Sequence, residues 1–121
     1  MKHFVNLVTE INNFSDEDLL KNFRSEDVVY GRMNYYAVFA KRIEKFKELL
    51  FSEVIDEKNT EIEFRTFKPS WYIAISVLDY CADEKVLEEL AVLIKNNWKL
   101  EDYQSFVDYI SKEERFYKFF N

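Results

Sequence analysis

Glycine occurs once in the 121 residues, at Gly31, and proline once, at Pro69. Average usage would give about eight glycines. Tight hairpins, phosphate-cradling loops and strand bulges lean on glycine, which alone enters positive φ freely. A chain with only Gly31 is therefore poorly equipped for a turn-rich β fold, and the nine asparagines can serve at some left-handed positions, especially helix C-termini. Cysteine also occurs once. Cys81 has no partner for an intrachain disulfide, so no oxidising compartment is required. No run of about 18 apolar residues exists, which argues against a membrane span. The opening MKHFVNLVTEINNF lacks an apolar stretch of signal-peptide length, interrupted as it is by Glu10 and polar residues. The expectation is a soluble, cytoplasmic protein. The preference for Lys, Asn, Ile, Phe and Tyr over Gly, Ala, Pro and Arg hints at an AT-rich, bacterial coding sequence.

Positive charge is in deficit as well. The formal net charge is -6, which argues against a nucleic-acid binder, since those present a basic stripe to phosphates. The one basic cluster, Lys41, Arg42, Lys45 and Lys47, is broken by Glu44 and spread around a helix, as on a solvated face. Acids group more tightly. Asp16, Glu17 and Asp18 form one group, Glu53, Asp56, Glu57, Glu61 and Glu63 a second, and Asp79, Asp83, Glu84, Glu88 and Glu89 a third.

What the chain has in plenty is aromatic residues, with 12 Phe, 8 Tyr and 2 Trp, and apolar residues at helical spacing. Phe4, Leu7, Val8 and Ile11 define a first helix over 2–13. Ser15 is an N-cap for a helix carrying Leu19, Leu20 and Phe23, with acids in its first turn. Ser25 is read as the next cap. A long helix then reaches Phe51 on the stripe Tyr36, Phe39, Ile43, Phe46 and Leu50, with Gly31 marking a break near its start. The segment 56–67 alternates like a strand at Ile62 and Phe64. A lone strand is unstable, so a loop or short irregular helix is expected.

Pro69 suits a first helical turn, and Lys68 before it is pushed out of the helical region. In the helix that follows, Tyr72, Ser76, Asp79 and Asp83 form one narrow polar stripe. Trp71, Ile73, Ala74, Ile75, Val77, Leu78 and Cys81 cover the rest, which makes this the central helix. Asp83 caps a further helix, ending near Asn96 and Asn97, that turns Val86, Leu87, Leu90, Leu93 and Ile94 inward. A last helix starts near Leu100. Ser111 and Glu114 fit a capping box for a final turn, or the helix continues to Phe120. The expected fold is all-α: one domain over 1–121, a compact bundle of about five to seven antiparallel helices. Trp71, Ala74, Val77, Leu78, Leu90 and Leu93 are its expected core.

The pattern W-Y-x-A-I-x-V-L, a turn at D-E, then V-L-E-E-L-A-V-L-I resembles one unit of a HEAT-type helical repeat. It spans Lys68–Lys95, with no clear second copy. The resemblance implies an antiparallel helix hairpin.

Catalytic constellations are largely missing. His3, the single histidine, sits at the start of the chain, and Cys81 falls on an apolar face that suits a buried, inert thiol. These two cannot assemble a zinc site, no Ca²⁺-loop pattern exists, and the Glu-x-x-His motifs of di-iron bundles are missing. No metal, cofactor or enzymatic activity is expected. Three readings remain: an inhibitor of a basic partner, a helical scaffold or adaptor subunit, and an enzyme built on a carboxylate site. Small size, acidity and aromatic wealth resemble the general type of small bacterial immunity proteins, which neutralise nuclease toxins. That resemblance implies a protein partner with a basic working surface. The expected contact surface combines acids with aromatic anchors: Glu53, Asp56, Glu57, Glu61 and Glu63 with Tyr72, Asp79 and Asp83. The C-terminal run Phe116, Tyr117, Phe119 and Phe120 is the second choice.

Overall fold

The structure is a computed structural model that describes residues 10–62 and 67–120. Among these residues there is no strand. Residues 10–13 are helical, and eight helices follow: α1 (Asp16–Ser25), α2 (Val29–Lys41), α3 (Ile43–Val54), α4 (Glu57–Thr60), α5 (Pro69–Tyr80), α6 (Glu84–Asn97), α7 (Leu100–Ile110) and α8 (Glu114–Tyr117). The fold is all-α, as the glycine deficit and the helical spacing require. The earlier part of the helix expected over 2–13 lies outside the described residues.

Helix starts follow local chemistry. The Ser15 hydroxyl accepts from the Asp18 backbone N–H at 3.1 Å, and three acids occupy the first turn of α1, where the helix dipole favours them. Asp83 accepts from Lys85 N at the start of α6. Asp56 does the same for Lys58 N at the start of α4, which fills the uncertain segment with one helical turn. Pro69 opens α5 after an extended Lys68.

Three local expectations need correction. The long helix breaks at Arg42, not at Gly31. Arg42 adopts φ -113° and ψ 42°, and its guanidinium is drawn out to the Asp16 carboxylate at 2.9 Å and the Asn12 carbonyl at 3.0 Å. Gly31 lies inside α2, where a Cβ would fall 2.6 Å from the Glu26 carboxyl carbon. Ser25 caps nothing downstream: its hydroxyl donates back to the Lys21 carbonyl, and Glu26 accepts from Val28 N instead. Ser111 likewise donates to the Asp108 carbonyl, so α8 starts after Glu113, whose side chain makes no capping hydrogen bond.

Helix α5 is central, with eight of its twelve residues buried. Its most extensive packing is against α2, followed by α3. Side-chain contacts fix the directions. Lys41, ending α2, lies over the ring of Tyr80, ending α5, whereas Arg32 near the start of α2 meets Glu53 near the end of α3. Lys47 pairs with Glu89, and the Trp98 indole donates to the Val54 carbonyl at 2.9 Å. The pair α2–α3 therefore stacks on the pair α5–α6, with α2 and α5 running one way and α3 and α6 the other.

One core joins all of this, from Ile11 to Phe120. Edge-to-face aromatics dominate two regions of it: Phe23 on Tyr35, Tyr36 and Phe39, and Trp71, Trp98 and Phe120 on Phe106. Such pairs add about 0.5–1.5 kcal/mol each beyond the area they bury. Of the expected core residues, Trp71, Ala74, Val77, Leu78 and Leu90 are buried; Leu93 is half-buried, because it floors a surface groove.

Candidate partner-binding surfaces

The acids expected to form one surface are divided between the two ends of α5. Asp79 and Asp83 lie at its C-terminal end. The group beginning at Glu53 belongs to the other end, where α3 closes against Trp98 after α6. From Pro69 to Asp79 the helix rises by about 15 Å. Two patches result where one was expected.

Glu53 is not on a surface at all. It is 6 % exposed and accepts hydrogen bonds from the Tyr36 hydroxyl at 3.0 Å and the Lys58 ammonium at 2.9 Å, with Arg32 at 4.0 Å. Burial, and then the charge and hydrogen bond of Glu53, push the Tyr36 hydroxyl pKa far up, so Tyr36 stays a donor. Asn59, fully buried beside them, donates to the Glu53 carbonyl. The signal missed in the sequence is the i, i+5 spacing of Glu53 and Lys58, which a helix end followed by a turn converts into an ion pair.

Asp56 is half-buried and committed twice, as the cap of α4 and as a second partner of Lys58 at 3.0 Å. Burial acts to raise its pKa. The hydrogen bonds and charge of Lys58, helped by Arg32, outweigh that and hold it below the usual value. Glu57 is exposed, and Glu61 is exposed and paired with Lys99 at 3.3 Å. Glu63 lies outside the described residues, as does His3.

Tyr72, one turn into α5 and so nearer its N-terminal end, is half-buried, and desolvation raises its hydroxyl pKa. Ser76 is buried, so the stripe from Tyr72 to Asp83 is not a continuous exposed surface. Asp79 is exposed and reaches Arg115 at 3.2 Å; Asp83 is exposed at the cap of α6. Between them Tyr80 is 48 % exposed, an aromatic outside the polar stripe expected from the sequence. The corner thus carries Asp79, Tyr80 and Asp83, with Glu84 beside them.

Cys81 lies at the floor of a cleft of about 300 Å³ between this corner and α8, spanned by Arg115–Asp79 and Lys118–Glu84. Its thiol is buried, 3.8 Å from the Asp83 carbonyl to which it donates, and burial raises its pKa. In the C-terminal run, Phe116 and Phe120 are buried, Phe119 is half-buried and Tyr117 is 40 % exposed. Phe116 and Phe120 are therefore core residues; Tyr117 is the accessible one.

A second feature lies outside the expected residues. Helices α3 and α6 run side by side and leave a groove of about 580 Å³ lined by Phe51, Glu88, Glu89, Val92 and Leu93 among others. Val92 is 59 % exposed. Its sequence signal is an apolar residue on the polar arc of α6, four residues after Glu88 and four before Asn96.

Among the described residues, no group of three His, Cys, Asp or Glu side chains is placed to hold a metal ion, and no helix is long and apolar enough to cross a membrane. No family model matches this chain, and neither a curated protein nor a solved structure matches it.

Proposed function

We propose that this protein is a binding inhibitor of the immunity type, which neutralises a nuclease toxin by covering its basic active surface. The observation that carries the reading is the α5–α6 corner: an exposed Tyr80 flanked by the exposed carboxylates Asp79 and Asp83. An aromatic anchor supplies affinity by burying area at the centre of a contact. The carboxylates around it attract a surface evolved to hold a polyanion and exclude the substrate from it. The net charge of -6 extends that attraction beyond the contact itself.

The test is inhibition. The product of the adjacent gene is purified and assayed for DNA or RNA cleavage, with and without an equimolar amount of this protein. Cleavage should stop. The double variant Asp79→Asn/Asp83→Asn retains a capping side chain at position 83 and should leave the helical spectrum unchanged. It should slow association by about threefold to tenfold at low salt. A neighbouring product without nuclease activity, cleavage undiminished by the protein, or an unchanged association rate in the double variant would each refute the proposal.

One observation favours a second reading, a HEAT-like scaffold or adaptor subunit. Two helix pairs stacked in the same sense are the minimal unit of such an array. Purification of the native protein as a fixed-stoichiometry subunit of a larger complex, with no toxin partner, would support this reading over the first.

A further inference from the structure

Helix α8 is a single turn. Phe116 and Phe120, both buried, tie this C-terminal turn into the core, with Phe120 packed edge-to-face on Phe106. Its cations stay outside. Arg115 reaches Asp79 at 3.2 Å and Lys118 reaches Glu84 at 3.1 Å, so two exposed ion pairs span the cleft between α8 and the α5–α6 corner. Each cation is steadied by the ring beside it. Arg115 lies 4.3 Å from the Phe116 centroid and Lys118 5.1 Å from that of Phe119. A third cation, Lys41, lies 5.0 Å over the Tyr80 ring. Of the side chains that the corner offers a basic partner, Asp79, Tyr80 and Glu84 are already met by cations of the same chain.

We propose that the C-terminal turn is a built-in competitor for this corner: Arg115 and Lys118 take the carboxylates that a partner's cations would take, and a partner binds by exchange with them. The inference rests on the corner being the contact surface. The two kinds of contact made by this turn differ in strength. Exposed ion pairs are favoured over their open forms by no more than about fivefold each, so the charged ends exchange readily. Buried phenyl rings do not, and α8 stays docked while its cations leave the carboxylates. The released cations remain tethered beside the corner at high effective concentration, and re-enter whenever a partner's side chain lets go. A ligand that needs both carboxylates meets both competitions at once, which weakens it by about tenfold. A surface with one cation for the corner only replaces one pair by another of the same kind. A surface that brings several cations together displaces both at once, so the turn discriminates in favour of densely basic partners.

The probe is hexa-arginine, titrated into the full-length protein at low salt while backbone amide and arginine Nε–Hε chemical shifts are recorded. Three proteins are compared: the parent, Arg115→Gln/Lys118→Gln, and Lys21→Gln/Lys99→Gln, which removes the same charge from exposed positions elsewhere. In the parent the probe should shift Asp79, Tyr80 and Glu84 and move the Arg115 Nε–Hε resonance as that side chain is released. It should bind Arg115→Gln/Lys118→Gln about tenfold more tightly than the parent, and Lys21→Gln/Lys99→Gln by less than about threefold more tightly. Equal tightening in the two variants would assign the effect to net charge and overturn the proposal. So would no tightening in Arg115→Gln/Lys118→Gln, or an Arg115 resonance that stays in place while Asp79 shifts. That last readout is taken on the unaltered protein and depends on neither variant folding. The competitor and the immunity reading fail separately. Exchange at the corner without inhibition of the neighbouring product refutes the immunity reading alone. Inhibition lost in Asp79→Asn/Asp83→Asn, with the probe binding the parent and Arg115→Gln/Lys118→Gln equally, refutes the competitor alone.

Discussion

Replacing Glu53 by alanine tests the interior of this protein most directly. The side chain accepts from the Tyr36 hydroxyl and from Lys58, and neutralises Arg32 as well. Tyr36 is fully buried, so its hydroxyl has no access to water once the acceptor is gone. Leaving that buried donor unsatisfied costs about 1–3 kcal/mol, while Lys58, 35 % exposed, keeps Asp56 as a partner at 3.0 Å. The loss is a sizeable part of a total stability of about 5–15 kcal/mol. With an unfolding entropy of about 2.1 cal/mol/K per residue, the midpoint of thermal unfolding falls by roughly 4–12 °C. Tyr36→Phe is the informative companion. It deletes the donor while Glu53 keeps Lys58, so about 1 kcal/mol is lost. Both are measured by urea unfolding followed by circular dichroism, with the denaturant slope checked for constancy. A Glu53→Ala loss within about 0.5 kcal/mol, the size of an ordinary surface substitution, would refute the buried network and return Glu53 to the surface.

Val77→Asp places a charge at a fully buried position of α5 and should abolish cooperative unfolding; a sharp transition near that of the parent protein would contradict the core. Cys81 should react with a thiol reagent at pH 8 far more slowly in the folded protein than in urea, and rates within a factor of about ten of each other would show the thiol to be accessible. Asp56 has a folded pKa depressed below its ordinary 3.8, so its contribution to stability is fully present above that value and disappears as pH falls through the folded pKa. Asp56→Asn should accordingly cost stability at pH 7 and nothing well below the usual carboxylate range; a cost that persists in acid would remove the Lys58 pairing as its cause. Arg115→Gln, which frees the exposed Asp79, should change stability by less than about 1 kcal/mol and, on the immunity reading, speed association with the toxin; slower association would oppose it.

Features legible in the sequence share one property: their cause lies within a few residues of their effect. Ser15, Asp83 and Pro69 start helices through contacts with the backbone two or three positions away, or through a fixed φ. The apolar circumference of α5 announces its central position for the same reason, since periodicity along one helix is a local property. Ser25 and Ser111 mislead because a serine hydroxyl can equally donate backwards to the preceding turn, as both do. The break at Arg42 depends on Asp16, 26 residues away.

Surface charge is the extreme case of that dependence. A carboxylate is freely available to a partner only where no cation of the same chain holds it firmly, and the cations that do so can come from far along the sequence. Asp79 is met by Arg115 at a separation of 36 residues, Glu84 by Lys118 at 34 and Glu61 by Lys99 at 38. Three acids chosen by clustering are thereby partly neutralised, and Glu53 is withdrawn from the surface altogether. Exposed pairs of this kind hold by only about 0–1 kcal/mol, so a partner's arginine can displace Arg115 from Asp79 at little cost, whereas the buried Glu53 carboxylate offers a partner no surface to reach. The distinction between exchangeable and fixed pairs follows from burial, 40 % side-chain exposure for Asp79 against 8 % for Glu53. It moves the proposed contact surface away from the acidic segment before Pro69 and toward the α5–α6 corner.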